Sequence, residues 1–309
     1  MKTFSSIPSR SQAEVLVIGT FDGLHRGHRY LIEQALDQAH DLNVDCSVLT
    51  FHPDPQFVLT DRKPSERRLL APKHKDRLMK EIGVDRLYKI PFDHEFASLS
   101  PEQFCQEFLL EPLQLRDLYV GKNFRFGRNR VGTPDDLHTL LDPHGIQTHT
   151  VETLQVGGQP VSSTRIRRAL RQGKAEQAKQ LLGRPYMIFE SIQTGDGRGR
   201  EMGFPTMNFP ITKTLQPRQG VYAVEFGPKS LPAVANFGKR PTVTDDDEPV
   251  LEVHVLKQNF VSPADSRPYP VSFIEFLRGE RAFSGADDLR RQISQDAEKA
   301  RNILQKPAG

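Results

Sequence analysis

Glu14-Val15-Leu16-Val17-Ile18-Gly19-Thr20-Phe21-Asp22-Gly23-Leu24-His25-Arg26-Gly27-His28 joins a β-rich run to an amphipathic helix through a glycine-bearing turn. EVLVI has the apolar continuity of a buried strand, and Leu31, Ile32, Ala35, Leu36, Ala39 and Leu42 then recur at helical spacing. The alternation continues outward from this unit. Residues 44–51, 85–90, 117–120 and 147–152 read as further strands. Between them, a helical stretch with Leu78, Met79 and Ile82 ends at Gly83. Ser100-Pro101-Glu102-Gln103 is a capping box whose helix is lined by Phe104, Cys105, Phe108 and Leu109, and Thr133-Pro134-Asp135-Asp136 opens another helix. Repeated strand-helix-strand units predict right-handed crossovers and a parallel sheet covered on both faces, an α/β architecture. Two more helices are expected at 163–172 and 174–182, ending at Gly183.

After Arg184-Pro185 the texture changes. Short β-rich runs at 221–226, 232–237, 250–256 and 271–277 are separated by Gly, Pro and Asp, a pattern that predicts an antiparallel barrel or sandwich. Leu289, Ile293, Ala297, Ala300 and Leu304 fall on one stripe of a closing helix. The boundary is expected near Gly183 to Pro185, and 309 residues at about 150 per domain agree with two domains.

Composition narrows the class. Charged residues at 26% and a mean hydropathy of −0.53 exclude membrane-spanning and collagenous chains, and no apolar run reaches the roughly 18–20 residues a bilayer requires. Residues 1–10 lack the apolar centre of a signal peptide, so a cytoplasmic location is expected. Cys46 and Cys105 stand apart without a CxxC pair and read as small buried hydrophobes. Net charge is 42 − 39 = +3, too weak a field to argue for nucleic acid, although clustered arginines still suit phosphates.

Two constellations carry chemistry. In the first, Gly19 to His28 leads from a strand end into a helix N-terminus, whose free N–H groups and positive dipole favour a phosphate. His25 and His28 are three apart and point to one side. Gly27 between them permits close backbone approach, and paired imidazoles suit charge stabilisation in phosphoryl or nucleotidyl transfer. Ser163, Thr164 and Arg165 open a helix whose start suits ATP phosphates, or simply a capped basic surface helix. In Phe124-Arg125-Phe126-Gly127 the two rings either stack on a planar ligand or divide into one buried and one exposed. The second constellation, Gly195 to Asn208, places Gly197, Arg198, Gly199, Arg200 and Gly203 in a loop suited to phosphates. It is not a Walker A loop. Thr206 and Asn208, two apart in an extended segment, face one side and suit a hydrated Mg²⁺ on ATP oxygens.

GTFDGLHRGH at 19–28 resembles the HxGH nucleotidyltransferase superfamily and, more closely, the bacterial bifunctional riboflavin kinase/FMN adenylyltransferase (FAD synthetase) family. GKNFRFG at 121–127, VSSTRIR at 161–167, GREMGFPTMN at 199–208, NFGKRPT at 236–242, LEVH at 251–254 and FLRGE at 276–280 follow in the family's order. The resemblance implies a Rossmann-like adenylyltransferase domain at 1–184 and a β-barrel kinase domain with a terminal helix at 185–309. It implies that riboflavin and ATP give FMN and ADP, and that FMN and a second ATP give FAD and pyrophosphate, with Mg²⁺ and without nucleic acid or membrane. It further implies His25 and His28 as transition-state stabilisers. Gly19, Phe21, Asp22, Gly27, Ser163, Thr164 and Arg165 fall on the ATP side, and Asn123, Phe124, Arg125 and Phe126 near the flavin. In the second half, Gly197, Arg198, Gly199 and Gly203 fall at phosphates, Thr206 and Asn208 at the metal, and Glu252 at the base position. Arg278 serves either the flavin or phosphate site or a plain salt bridge.

The sequence departs from the family in Phe51-His52-Pro53-Asp54-Pro55, where Asp54 stands at a usual histidine position. A carboxylate there would repel triphosphate unless Mg²⁺ intervened. This motivates the alternative of a kinase with an impaired or regulatory N-terminal half; a flavin- or nucleotide-responsive binding protein without turnover is the other alternative. Asp245-Asp246-Asp247-Glu248 reads as a solvated loop.

Overall fold

The computed structural model describes residues 1–8, 13–193, 203–238, 249–263, 265 and 267–305. Gly197, Arg198, Gly199, Arg200, residues 239–242 and the acidic loop at 245–248 therefore lie outside the described residues.

The first sheet has six parallel strands: β1 (Lys2–Phe4), β2 (Glu14–Ile18), β3 (Asp45–His52), β4 (Arg86–Pro91), β5 (Leu115–Gly121) and β6 (Gln147–Val151), in the order β1-β4-β3-β2-β5-β6. From β2 the chain steps to β3 and β4 on one side, then returns to place β5 and β6 on the other. Strand order thus reverses at β2, and the crevice beyond the carboxyl ends of β2 and β5 is where such sheets bind ligands. The helix after β2, Arg26–Leu42, buries Leu31, Ile32, Ala35 and Ala39 and stops at Asn43 in a left-handed conformation. The expected capping box forms at Ser100/Gln103, and the helix expected after Thr133 opens with a second box, at Thr133/Asp136. The helix after the first is Pro101–Cys105, continued by one π turn, Gln106–Leu110. Phe51, Phe92, Phe96, Phe104, Phe108 and Phe126 form a chain of ring contacts with centroids 4.9–6.0 Å apart beneath this face.

Cys46 and Cys105 are free and buried, and burial pushes both thiols up to about 12. Since the thiolate is the reactive form, a disulfide reagent at neutral pH is expected to modify neither cysteine in the native protein and both after denaturation.

A hairpin of β7 (Gln155–Val156) and β8 (Gln159–Pro160) precedes the helices Ser163–Arg171 and Ala175–Leu182. The second sheet comprises β9 (Tyr186–Ser191), β10 (Met207–Pro210), β11 (Gly220–Phe226), β12 (Leu231–Gly238), β13 (Val250–Val255) and β14 (Pro268–Arg278), all neighbours antiparallel in the order β10-β13-β12-β11-β14-β9. Gln193, just past β9, bridges Asn208 of β10, its N–H donating to the Asn208 carbonyl at 2.8 Å. The two edges thereby meet, and the sheet is a nearly closed barrel. The terminal helix Ala286–Leu304 packs Ala297 and Ala300 on Val221, Ala223 and Val234.

Packing divides the chain into Met1–Lys63 with Pro72–Ser162, and Pro64–Ala71 with Ser163–Gly309. This is about twenty residues earlier than the seam expected near Gly183. The reason is visible in hydrogen bonds within the second unit. Arg218 N–H donates to the Leu170 carbonyl at 3.0 Å, and Leu215 and Gln216 N–H donate to the Arg68 and Ser65 carbonyls. Arg167 Nε, on a buried side chain, donates to the Arg67 carbonyl at 2.7 Å. The helices at 163–182 therefore pack with the barrel.

Candidate active sites

The turn between β2 and its helix is built from left-handed residues: Phe21 (φ 51°), Gly23 (φ 84°) and Leu24 (φ 38°). Such conformations in non-glycine residues cost energy and concentrate at functional sites. The Phe21 ring is buried, lies against Gly19, where an added Cβ would sit 2.8 Å from Cζ, and meets the His28 ring edge-on at 5.3 Å. Its side chain supports the loop and the histidine and is not itself a phosphate ligand. Asp22 is buried in the same turn.

His25 is the N-cap of the helix, its Nδ1 accepting from the His28 backbone N–H at 3.2 Å. An accepting Nδ1 fixes the neutral tautomer with its proton on Nε2, a donor. The His25 and His28 rings stack with centroids 3.6 Å apart and 13° between planes, so the expected common direction is found. A Cβ at position 27 would lie 3.3 Å from His25 Nδ1. Glycine there clears the imidazole, a reason the sequence does not reveal.

Beneath this loop lies a residue that the sequence analysis missed. Lys75, buried on the helix Pro72–Ile82, donates from Nζ to the Thr20 carbonyl at 3.0 Å and to Thr50 Oγ1 at 3.3 Å, and stands 3.5 Å from Asp54 Oδ1. Its ammonium offsets the Asp54 charge, so repulsion of triphosphate does not follow from Asp54 alone. β3 ends at exposed His52, while Asp54 is buried at the N-cap position of the short helix Pro55–Val58. The two residues do not share a strand face. Removing one member of a buried ion pair costs about 3–5 kcal/mol. Lys75→Met is therefore expected to lower the melting temperature by several degrees in a thermal melt.

Beyond β5, the other lip of the crevice, Asn123 and Arg125 are exposed and Phe124 is half-buried. Phe126 is buried, stacked at 5.8 Å on Phe124 and packed at 5.4 Å on Phe104. Of the pair expected near a flavin, Phe126 belongs to the core because its backbone bridges Gly132 and turns the ring inward. Ser163, Thr164 and Arg165 form the first turn of their helix, Thr164 exposed and the other two half-buried.

In the barrel, Asn208 of β10 lies opposite Glu252 of β13, which lies opposite Asn236 of β12. Residues directly opposite share a face, so three polar side chains form a row there. Asn236 was singled out only within its motif; the register reveals its place. Along β13, Leu251, Val253 and Val255 are buried, while Glu252 and His254 alternate onto the face with Asn208. Asn208 is buried, and its Oδ1 has no hydrogen-bond partner among the described residues. Thr206 is exposed just ahead of β10, and Gly203 holds φ 86°, a conformation that favours glycine. Arg278 is engaged elsewhere: Nε and Nη2 donate to Asp296 at 3.0 and 2.7 Å, and Nη1 donates to the Gly279 carbonyl. Of its two expected roles the structure shows the salt bridge, which ties β14 to the terminal helix.

A doubly wound sheet with stacked histidines at a helix start, and a barrel with an Asn-Glu-Asn row, suit a two-unit nucleotide-dependent transferase. The FAD synthetase family model matches residues 7–165, and the riboflavin kinase family model matches residues 182–304. Bifunctional riboflavin kinase/FMN adenylyltransferases from Escherichia coli K12 and Bacillus subtilis 168 are 37% and 33% identical to this chain. The first alignment covers all of both proteins, the second 95% of this chain and 93% of the relative. The chain belongs to the bifunctional riboflavin kinase/FMN adenylyltransferase family, and it phosphorylates riboflavin to FMN and adenylylates FMN to FAD with ATP. A solved structure described as a macrolide-efflux protein from Streptococcus pneumoniae shares the fold, with a TM-score of 0.86, 29% identity and coverage of 97% of this chain and 98% of that one. Among the described residues no helix is long and apolar enough to cross a membrane.

Proposed function

We propose that the two reactions divide between the two halves, adenylyl transfer at the crevice of residues 1–184 and phosphorylation at the barrel of 185–309, in the cytoplasm. At the crevice an FMN phosphate oxygen attacks the α-phosphorus of ATP, the bond to the β-phosphate breaks, and pyrophosphate leaves. His25 and His28 donate to the oxygens that gain charge. Asn123, Phe124 and Arg125 serve the flavin side. The observation that carries this half is the 3.6 Å stack of the two imidazoles with its defined tautomer.

At the barrel, Glu252 accepts the proton of the ribityl 5′-hydroxyl as that oxygen attacks the γ-phosphorus, and ADP leaves. The orphaned, buried Asn208 Oδ1 fits a hard cation. Thr206 and Asn208 would hold Mg²⁺, which when bound neutralises charge on the transferring phosphates. Among the described residues no cluster of three or more His, Cys, Asp or Glu could hold a metal, and a hydrated Mg²⁺ on nucleotide phosphates needs only one or two protein oxygens. Incubation of the full chain with FMN and MgATP is expected to release one pyrophosphate per FAD formed. Absence of release would favour a kinase with an inactive N-terminal half.

A further inference from the structure

The transfer chemistry leaves His254 unused. It is half-buried on β13. Its Nδ1 stands 2.9 Å from the Pro205 carbonyl oxygen, and its ring meets Phe204 edge-on with centroids 5.5 Å apart at 79°. A carbonyl only accepts, so Nδ1 carries the proton and donates, whether the ring is neutral or charged. The β10–β13 register pairs Met207 with Val253 and Asn208 with Glu252, and continuing it by one residue sets Thr206 across from His254. The strand begins only at Met207, however. Pro205 has no N–H to donate to a ladder, and Phe204, preceding a proline, is biased toward extended backbone. The segment leading into Thr206 therefore takes a hydrogen bond from outside its own strand, and the imidazole supplies it.

We propose that His254 is a positioning residue for riboflavin phosphorylation, clamping the Phe204-Pro205 backbone to β13 so that Thr206 and Asn208 meet the nucleotide phosphates beside Glu252. The claim rests on the barrel reading above. It is tested in the full chain with two substitutions. His254→Leu keeps bulk and removes the donor, whereas His254→Asn places an amide N–H near the position of Nδ1. Loss of one such hydrogen bond is expected to raise the KM for MgATP in the kinase reaction about three- to tenfold in His254→Leu, with kcat changed less. His254→Asn is expected to restore KM to within about twofold of wild type. FMN adenylylation by the same molecules should be unchanged and reports a folded chain. A wild-type KM in His254→Leu, or equal impairment in both variants, would overturn the proposal. Loss of both activities in both variants would also overturn it, because the residue would then act in folding. Normal riboflavin phosphorylation by Glu252→Gln would instead overturn the barrel reading itself.

Discussion

Glu252→Gln is expected to lower riboflavin phosphorylation by roughly 10²- to 10⁴-fold, the usual contribution of a positioned general base, while FAD formation from supplied FMN continues. The amide preserves the shape of the carboxylate and its place between Asn208 and Asn236, but it cannot take the hydroxyl proton. Because the substitution changes no buried apolar contact, its effect should fall on kcat, with the KM for MgATP close to wild type. Initial rates for each half-reaction, measured separately on one preparation, check this. An unchanged kinase rate would remove Glu252 from the base role.

His28→Ala is the mirror case, with FMN adenylylation expected to fall by roughly 10²- to 10³-fold, as for loss of one preorganised donor to developing charge. His28 is the better choice of the pair. His25 caps the helix through Nδ1, so its removal also loses a cap, whereas the capping bond from position 28 uses the backbone N–H and survives substitution. Riboflavin phosphorylation by the same variant should persist and reports that the chain is folded. Pyrophosphate release with FMN as substrate reads the defect, and a near-normal rate would show that the stacked pair does not serve the transition state.

Local signals brought much of this into view. The EVLVI run, its glycine turn and the helical period after it place the histidines at the sheet's switch point, because period and turn chemistry act over a few residues. What escaped depends on distant partners. Lys75 meets Asp54 and Thr20 only after folding; its one local trace is a charge four residues from buried Met79 on the same helix face. Arg278 finds Asp296 eighteen residues away, and Phe126 turns into the core because of its bridge to Gly132. β1 and β10, of three and four residues, are too short to show a period. β9 does alternate buried and half-buried along its length, but it follows a helix and a proline directly. The early seam reflects the helices at 163–182, together with Pro64–Ala71, packing with the barrel, contacts no linear composition shift announces.

The most direct test is mass spectrometry of the products formed by the purified 309-residue chain from riboflavin and MgATP. The expected result is FMN followed by FAD, with one ADP and one pyrophosphate per FAD, as two separate transfers require. Formation of neither FMN nor FAD would contradict the account.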